Sequence, residues 1–264
     1  LGCSLASGIP TYRRTNGDWQ GRQPINHADF LSKFSTRQRY WARSFLGWPT
    51  MTQAEPNPAH SAITWLHHRK HLSTVLTQNV DNLHEKSGLT RVQHLHGDLS
   101  FVSCMECGKR ISRDDLQNEL SALNPNLSIQ LQPYRPRPDG DTEVPEAFVR
   151  AFQIPSCQSC GGDLKPEVVF FGDRVPPDII SNAFEALEAA DALLVIGSSL
   201  KIFSGYRFCR QAHERDQPIM IINPGWTRGY PQASLKIEES AEVFLPRLVE
   251  RLANQRYHLV PGRE

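Results

Sequence analysis

Three polar blocks in this chain combine residue types that do chemistry. Thr77-Gln78-Asn79-Val80-Asp81 follows the apolar stretch ending at Leu76, and His94-Leu95-His96-Gly97-Asp98 follows a second one beginning at Val92. Gly197-Ser198-Ser199 closes a third, the fully apolar run 192–196. His96 is the candidate general base: an imidazole titrates near 6.5 when unperturbed, and its place behind an apolar strand sets it at a sheet rim. His94 would share its face in a strand and is the rival. Amide side chains at Gln78 and Asn79 suit ribose hydroxyls, and Asp81 suits a carboxamide N–H. The plainer alternative is a turn stabilised by Asn and Asp. Ser198 and Ser199 read either as phosphate- or ribose-binding hydroxyls or as helix caps, and Asn223 has the same standing. Tyr12 could cover a planar group and Arg13 could meet a pyrophosphate.

Cys104/Cys107 and Cys157/Cys160 form two C-x-x-C pairs separated by 49 residues. Paired knuckles are the expected spacing for a closed structural zinc site, with disulfides or redox pairs as the competing reading. Cys3 and Cys209 are single and read as free thiols, which suits a reducing compartment. The gap holds the 133–140 run Pro-Tyr-Arg-Pro-Arg-Pro-Asp-Gly, a loop composition.

The elements that must position these groups follow from the patterning. The small-residue stretch 2–10 reads as a loop entering a helix start, where backbone N–H groups receive phosphate. Asn57-Pro58 opens a helix, with Asn as cap and Pro at the first turn. Strands are expected over 71–76, 92–95, 168–171, 192–196 and 218–222. Helices are expected over 178–190, 205–214 and 241–254. Trp41, Trp48, Phe34 and Phe45 read as core rather than pocket lining. Alternating strand and helix in the second half argues for a parallel sheet covered on both faces. The strands end in Gln-Asn-Val-Asp, His-Gly-Asp, Gly-Ser-Ser and Asn-Pro-Gly. Ligands of α/β sheets bind at such carboxyl ends, so a nucleotide-sized site is expected there.

The chain has 264 residues, 29 basic and 28 acidic, a net charge of +1 and 39% hydrophobic residues. That balance gives no reason to expect nucleic acid or an anionic membrane surface as partner. The longest apolar run is far too short to span a bilayer.

Taken together, Ser7-Gly8-Ile9-Pro10-x-Tyr12-Arg13, Gln78-Asn79-Val80-Asp81, His96-Gly97-Asp98, both knuckles, Lys165-Pro166-x-Val168-Val169-Phe170-Phe171-Gly172, Gly197-Ser198-Ser199-Leu200 and Asn223 resemble the sirtuins, collinearly over nearly the whole chain. Arg37-Gln38-Arg39-Tyr40-Trp41-Ala42-Arg43 and Gly47-Trp48-Pro49 resemble the class II branch. The resemblance implies a Rossmann-like domain in two parts, 1–97 and 165–264, with a helical insertion around 24–55 and a zinc module over 98–164. The family's first strand and first glycine precede the position where this sequence begins, so a sheet without that strand is expected.

The implied activity is NAD-dependent deacylation of protein lysines. The acyl oxygen attacks the nicotinamide ribose and nicotinamide leaves. His96 then deprotonates a ribose hydroxyl, and the acyl group ends on ADP-ribose. Implied NAD contacts are Gly2, Ser4, Ala6, Tyr12, Arg13, Gln78, Asn79, Asp81, His96, Gly197, Ser198, Ser199, Asn223 and Ala241, with Asn79 also in the catalytic set. Val168, Phe170, Phe171 and Gly172 would line the acyl-lysine peptide, with the Lys201–Gly205 segment opposite. Protein ADP-ribosyl transfer, NAD hydrolysis and a non-enzymatic NAD- or zinc-dependent binding module are the competing readings. Asp98 stands where the family usually has Asn or Ser, and a carboxylate beside the base is expected to raise its pKa. A bacterial cytoplasm is the expected compartment, with the mitochondrial matrix as alternative.

Overall fold

The computed structural model describes residues 2–12, 18, 24–127, 142 and 144–255. Arg13 and the 133–140 run lie outside them. The small-residue stretch folds as a 3₁₀ turn, Gly2–Ser7. Helices α1 (His27–Ser32) and α2 (Phe34–Gln53) follow. Helix α3 (Pro58–His68) starts where Asn57-Pro58 predicts: the Asn57 side chain accepts from the Ala59 N–H, and the Asn57 N–H donates to His60 Nδ1, closing a capping box.

Strand β1 (Val75–Thr77), helix α4 (Leu83–Lys86) and strand β2 (Val92–His94) come next, both strands shorter than expected. Strand β3 (Gly97–Cys104), strand β4 (Arg110–Ser112), helix α5 (Arg113–Leu123) and helix α6 (Glu146–Ala151) lead to strand β5 (Leu164–Val168). The chain then alternates: helix α7 (Pro177–Glu188), strand β6 (Leu193–Ile196), helix α8 (Phe203–Glu214), strand β7 (Ile219–Ile222), strand β8 (Leu235–Ile237) and helix α9 (Ala241–Gln255).

β1 pairs with β2 in parallel, and β6–β7–β8 form a second parallel ladder. Among the described residues no strand pairing joins the two ladders. A cavity of about 520 Å³ lies between them, lined by Val75, Leu76 and Thr77 on one side and Leu193, Leu194 and Val195 on the other. This is the α/β fold with an interrupted sheet. A separate antiparallel sheet, ordered β4–β3–β5, carries the cysteine knuckles at its end.

Two expectations are corrected. The strand expected over 168–171 stops at Val168, because Phe170 turns into the core, with its ring centroid 4.9 Å from Phe30 and 5.4 Å from Tyr40. Phe34, read as core, is 56% exposed, whereas Trp41 and Trp48 are buried. α2 packs Tyr40 and Trp41 against Leu116, Leu164 and Phe152, which docks the antiparallel sheet. Ile219 and Ile221 of β7 pack with Leu187 of α7 and Phe208 of α8, while Ile222 meets Ile63 of α3 and Leu245 of α9. The second ladder is thus covered on both faces, as its unbroken apolar run requires.

Gly97 joins the two halves. Its φ is +83°, and a Cβ there would sit 2.0 Å from the Glu167 carbonyl oxygen. Gly8 has a similar φ, +85°, but open space around it. Gly8→Ala is therefore expected to cost about 1–2 kcal/mol for the left-handed backbone alone. Gly97→Ala should cost clearly more in urea denaturation, since backbone must also move. Equal losses would show that β3 and β5 are not held in contact at this point.

Candidate active site and metal centre

One cleft of about 910 Å³ opens at the carboxyl ends of the parallel strands. Of the residues singled out in the sequence, it brings together Gly2, Tyr12, Gln78, His96, Gly197, Ser198, Ser199, Asn223 and Ala241, with Val168, Phe170, Phe171 and Gly172 on the opposite wall. Its size is within the range of small-molecule sites. The Lys201–Ser204 segment also lines it. So do Leu5, Arg207, Trp226 and Glu242, which no motif picked out.

His96 is fixed by two contacts. Its Nδ1 lies 3.1 Å from the Gln78 carbonyl oxygen and its Nε2 lies 2.8 Å from Ser204 Oγ. A carbonyl only accepts, so Nδ1 carries the proton and Nε2 keeps its lone pair toward the cleft. Burial lowers the His96 pKa, partly offset by the Gln78 carbonyl. The elevation expected from Asp98 is not found. The Asp98 carboxylate accepts from Asn82 Nδ2 at 2.8 Å and from the Ser100 N–H at 2.7 Å, and its charge acts on His94 instead. His94 itself pairs with Glu85 at 2.5 Å, outside the cleft lining.

The loops around the base approach closely. The Gly2 N–H donates to the Gly197 carbonyl at 2.9 Å, and a Cβ on Gly2 would lie 2.7 Å from that oxygen. Gln78 Nε2 donates to Ser198 Oγ at 3.0 Å, tying the end of β1 to the end of β6. The Tyr12 ring meets Phe171 edge-on, centroids 5.8 Å apart. Asn223 Nδ2 donates to the Gly225 carbonyl at 2.6 Å, shaping the turn after β7.

Ser4, Ala6, Asn79 and Asp81 do not line the cleft. Ala6 is exposed, Ser4 is buried within the Gly2–Ser7 turn, and Asn79 and Asp81 are buried as well. Asn79 Nδ2 donates to Ser4 Oγ at 2.7 Å. Asp81 Oδ1 accepts from the Leu83 N–H at 3.1 Å, while its Oδ2 is buried without a hydrogen-bond partner. The α3 cap supports this layer: Asn57 Nδ2 donates to the Cys3 carbonyl at 2.7 Å and to Ser7 Oγ at 2.9 Å.

Two clusters bring metal-type ligands together. The sulfurs of Cys104, Cys107, Cys157 and Cys160 all lie within 4.8 Å of one another, with Cys104–Cys160 at 3.4 Å and Cys107–Cys157 at 3.7 Å. Four sulfurs about 2.3 Å from one tetrahedral ion stand roughly 3.8 Å apart, so the cluster fits a metal. The Glu106 and Cys107 N–H groups donate to Cys104 Sγ at 3.4 and 3.5 Å, as thiolate ligation favours.

Cys3, His60 and His84 are equally close and fully enclosed. There, however, His60 Nδ1 accepts the Asn57 N–H at 3.2 Å, so the proton sits on Nε2, 3.9 Å from Cys3 Sγ and 3.5 Å from Ser4 Oγ. That nitrogen is a donor to the Ser4 hydroxyl, where a metal would need a lone pair.

The chain belongs to the Sir2 family: that family's profile matches residues 1–204. It is 44% identical over 245 residues to NAD-dependent protein deacetylase 2 of Bradyrhizobium diazoefficiens, covering 92% of this chain and 89% of that protein. It is also 44% identical over 248 residues to the human NAD-dependent protein lipoamidase sirtuin-4, mitochondrial, covering 93% and 78%. Among solved structures, a Sir2 homologue mutant in complex with ADP-ribose matches with a TM-score of 0.77 at 27% identity, over 99% of this chain and 92% of that one. A Sir2 homologue–NAD complex matches with a TM-score of 0.71 at 27% identity, over 96% and 87%.

His60 gives a pH prediction. It is fully buried, and burial lowers its pKa to about 4. A histidine depressed in the folded state binds its proton more readily when unfolded. Its effect on stability is absent above about pH 6.5, and stability falls as the pH drops from there to about 4, by up to roughly 3 kcal/mol. His60→Gln should flatten that acid limb in urea midpoints measured against pH. An unchanged limb would show that His60 is not held neutral.

Proposed function

We propose that this chain is an NAD-dependent protein-lysine deacylase that moves the acyl group to ADP-ribose and releases nicotinamide. The observation that carries the reading is one cleft holding a candidate base whose Nε2 carries a lone pair met only by the Ser204 hydroxyl, the small-residue ends of the parallel strands, and an apolar wall. The surroundings fit NAD. The close Gly2–Gly197 approach leaves backbone where a side chain would otherwise stand, as pyrophosphate binding requires. The unpartnered Asp81 Oδ2 suits a carboxamide N–H. Ser198, Ser199 and Asn223 offer hydroxyl and amide groups to phosphate or ribose, and Ser4 and Asn79 support the loop from behind. When bound, NAD supplies the ribose that accepts the acyl group.

The chain's own work is then to orient and to move one proton. His96 takes it from a ribose hydroxyl at Nε2, while Nδ1–H stays on the Gln78 carbonyl. Depression of the His96 pKa keeps that lone pair free at neutral pH. The modified lysine enters as an extended segment between Phe171, Gly172 and Asp173 on one side and Lys201–Gly205 on the other. Its acyl group meets Ile25, Tyr40, Val80, Leu99 and Val168, an apolar surface that suits larger, uncharged acyl groups. The similarity to a lipoamidase supports that preference.

Zinc is the metal proposed for the four cysteines, in a closed and therefore structural role. The class II branch is proposed from the Trp41 and Trp48 segments and from the two relatives above. The absence of a disulfide among the six cysteines, with Cys3 and Cys209 as free thiols, fits a reducing compartment, and bacterial cytoplasm is the proposed one.

Incubation with NAD and acetyl- or lipoyl-lysine peptides is expected to release nicotinamide only when peptide is present. His96→Ala should slow release by about 10²–10⁴-fold. Peptide-independent release would instead indicate NAD hydrolysis, and label from NAD on protein would indicate ADP-ribosyl transfer. Elemental analysis should give one zinc per chain. Cys157→Ser should lose that zinc and lower the denaturation midpoint; metal-free wild type with an unchanged midpoint would contradict the zinc assignment.

A further inference from the structure

We infer that Ser204 is a positioning residue for His96, holding the Nε2 lone pair aimed into the cleft until a substrate hydroxyl replaces it. The inference rests on the deacylase reading for its kinetic consequence, but its geometry stands independently. Ser204 lies in the first turn of α8 and lines the cleft. Its Oγ is 2.8 Å from Nε2. Since the Gln78 carbonyl obliges Nδ1 to carry the proton, the Ser204 O–H must be the donor and Nε2 the acceptor.

The contact needs α8 to come close, and Gly205 makes that possible. A Cβ at Gly205 would lie 2.7 Å from Gln78 Oε1. Gln78 therefore meets both partners of this contact: its carbonyl holds one nitrogen of His96, and its side chain packs under the residue beside Ser204. The imidazole is thereby restrained at both nitrogens.

Only one lone pair is available at Nε2. A ribose hydroxyl that reaches it must displace the Ser204 proton, which turns away but stays on Ser204. Once Nε2 has taken the substrate proton, the Ser204 oxygen can accept the new N–H. The hydroxyl thus matches both protonation states of the base. It supplies no proton of its own, so the balance of the reaction is unchanged.

Ser204→Ala removes the hydroxyl without adding bulk, and Ser204→Thr keeps it. Ser204→Ala is expected to lower kcat on the order of tenfold, the weight of one hydrogen bond, with KM for NAD and peptide within about twofold. Ser204→Thr should recover most of the loss. Nitrogen-15 NMR of the free enzyme should show His96 as the Nδ1–H tautomer, with its Nε2 signal moving in Ser204→Ala and not in Ser204→Thr. An unchanged kcat, a Thr variant as slow as the Ala variant, or an unmoved Nε2 signal would each overturn the proposal. If wild type acts on no acyl peptide, the deacylase reading fails, and the NMR comparison still decides whether Ser204 holds the base.

Discussion

The main-chain contact between β3 and β5 is the constraint on which the site depends. The Val169 N–H donates to the His96 carbonyl at 2.8 Å, and Gly97 faces Val168 across the ladder. The base and the wall proposed to receive the acyl-lysine are therefore parts of one backbone junction. The same β3 runs on to Cys104, and β5 starts just after Cys160. A metal at the four sulfurs would tie the far ends of the two strands that meet at His96. In that arrangement a structural ion would set the position of the proposed base without taking part in the chemistry.

Burial and hydrogen-bond direction then decide protonation. Two histidines, the half-buried His96 and the buried His60, are held neutral, but with opposite tautomers. His96 donates from Nδ1 to a carbonyl and keeps the Nε2 lone pair, which accepts from Ser204 Oγ. His60 accepts at Nδ1 from the Asn57 N–H and so keeps its proton on Nε2, toward Ser4. The first arrangement makes a base. The second makes a donor that, with Asn79, orients the Ser4 hydroxyl within the Gly2–Ser7 turn. Residue type alone does not separate these roles, whereas the partner of the other ring nitrogen does.

Much of this was legible in the sequence wherever the signal is local. Asn57-Pro58 marked the start of α3, the run 192–196 marked β6, and the C-x-x-C pairs marked the sulfur cluster. The four strand ends marked where the cleft opens. Less was legible where distant partners decide. β3, β4 and β8 were not anticipated, because short strands are defined by what they pair with. The strand expected over 168–171 lies upstream, at Leu164–Val168, where it pairs with β3, while Phe30 and Tyr40 capture Phe170. Asp98 sits beside His96 in sequence, yet Asn82 and the Ser100 amide turn its charge away. Arg207 and Trp226 carry no motif and enter the cleft only through the packing of α8 and the turn after β7, and the contact of Ser204 with His96 has no local signal within the Lys201–Gly205 segment.

One cleft is proposed to transfer an acyl group from lysine to ADP-ribose, with His96 as the base. Mass spectrometry of the nucleotide product tests it most directly. Acyl-ADP-ribose is expected in equal amount to the unmasked lysine, with both products formed about 10²–10⁴-fold more slowly in His96→Ala. Free acyl acid formed without consumption of NAD, or ADP-ribose attached to protein with the acyl-lysine intact, would contradict it.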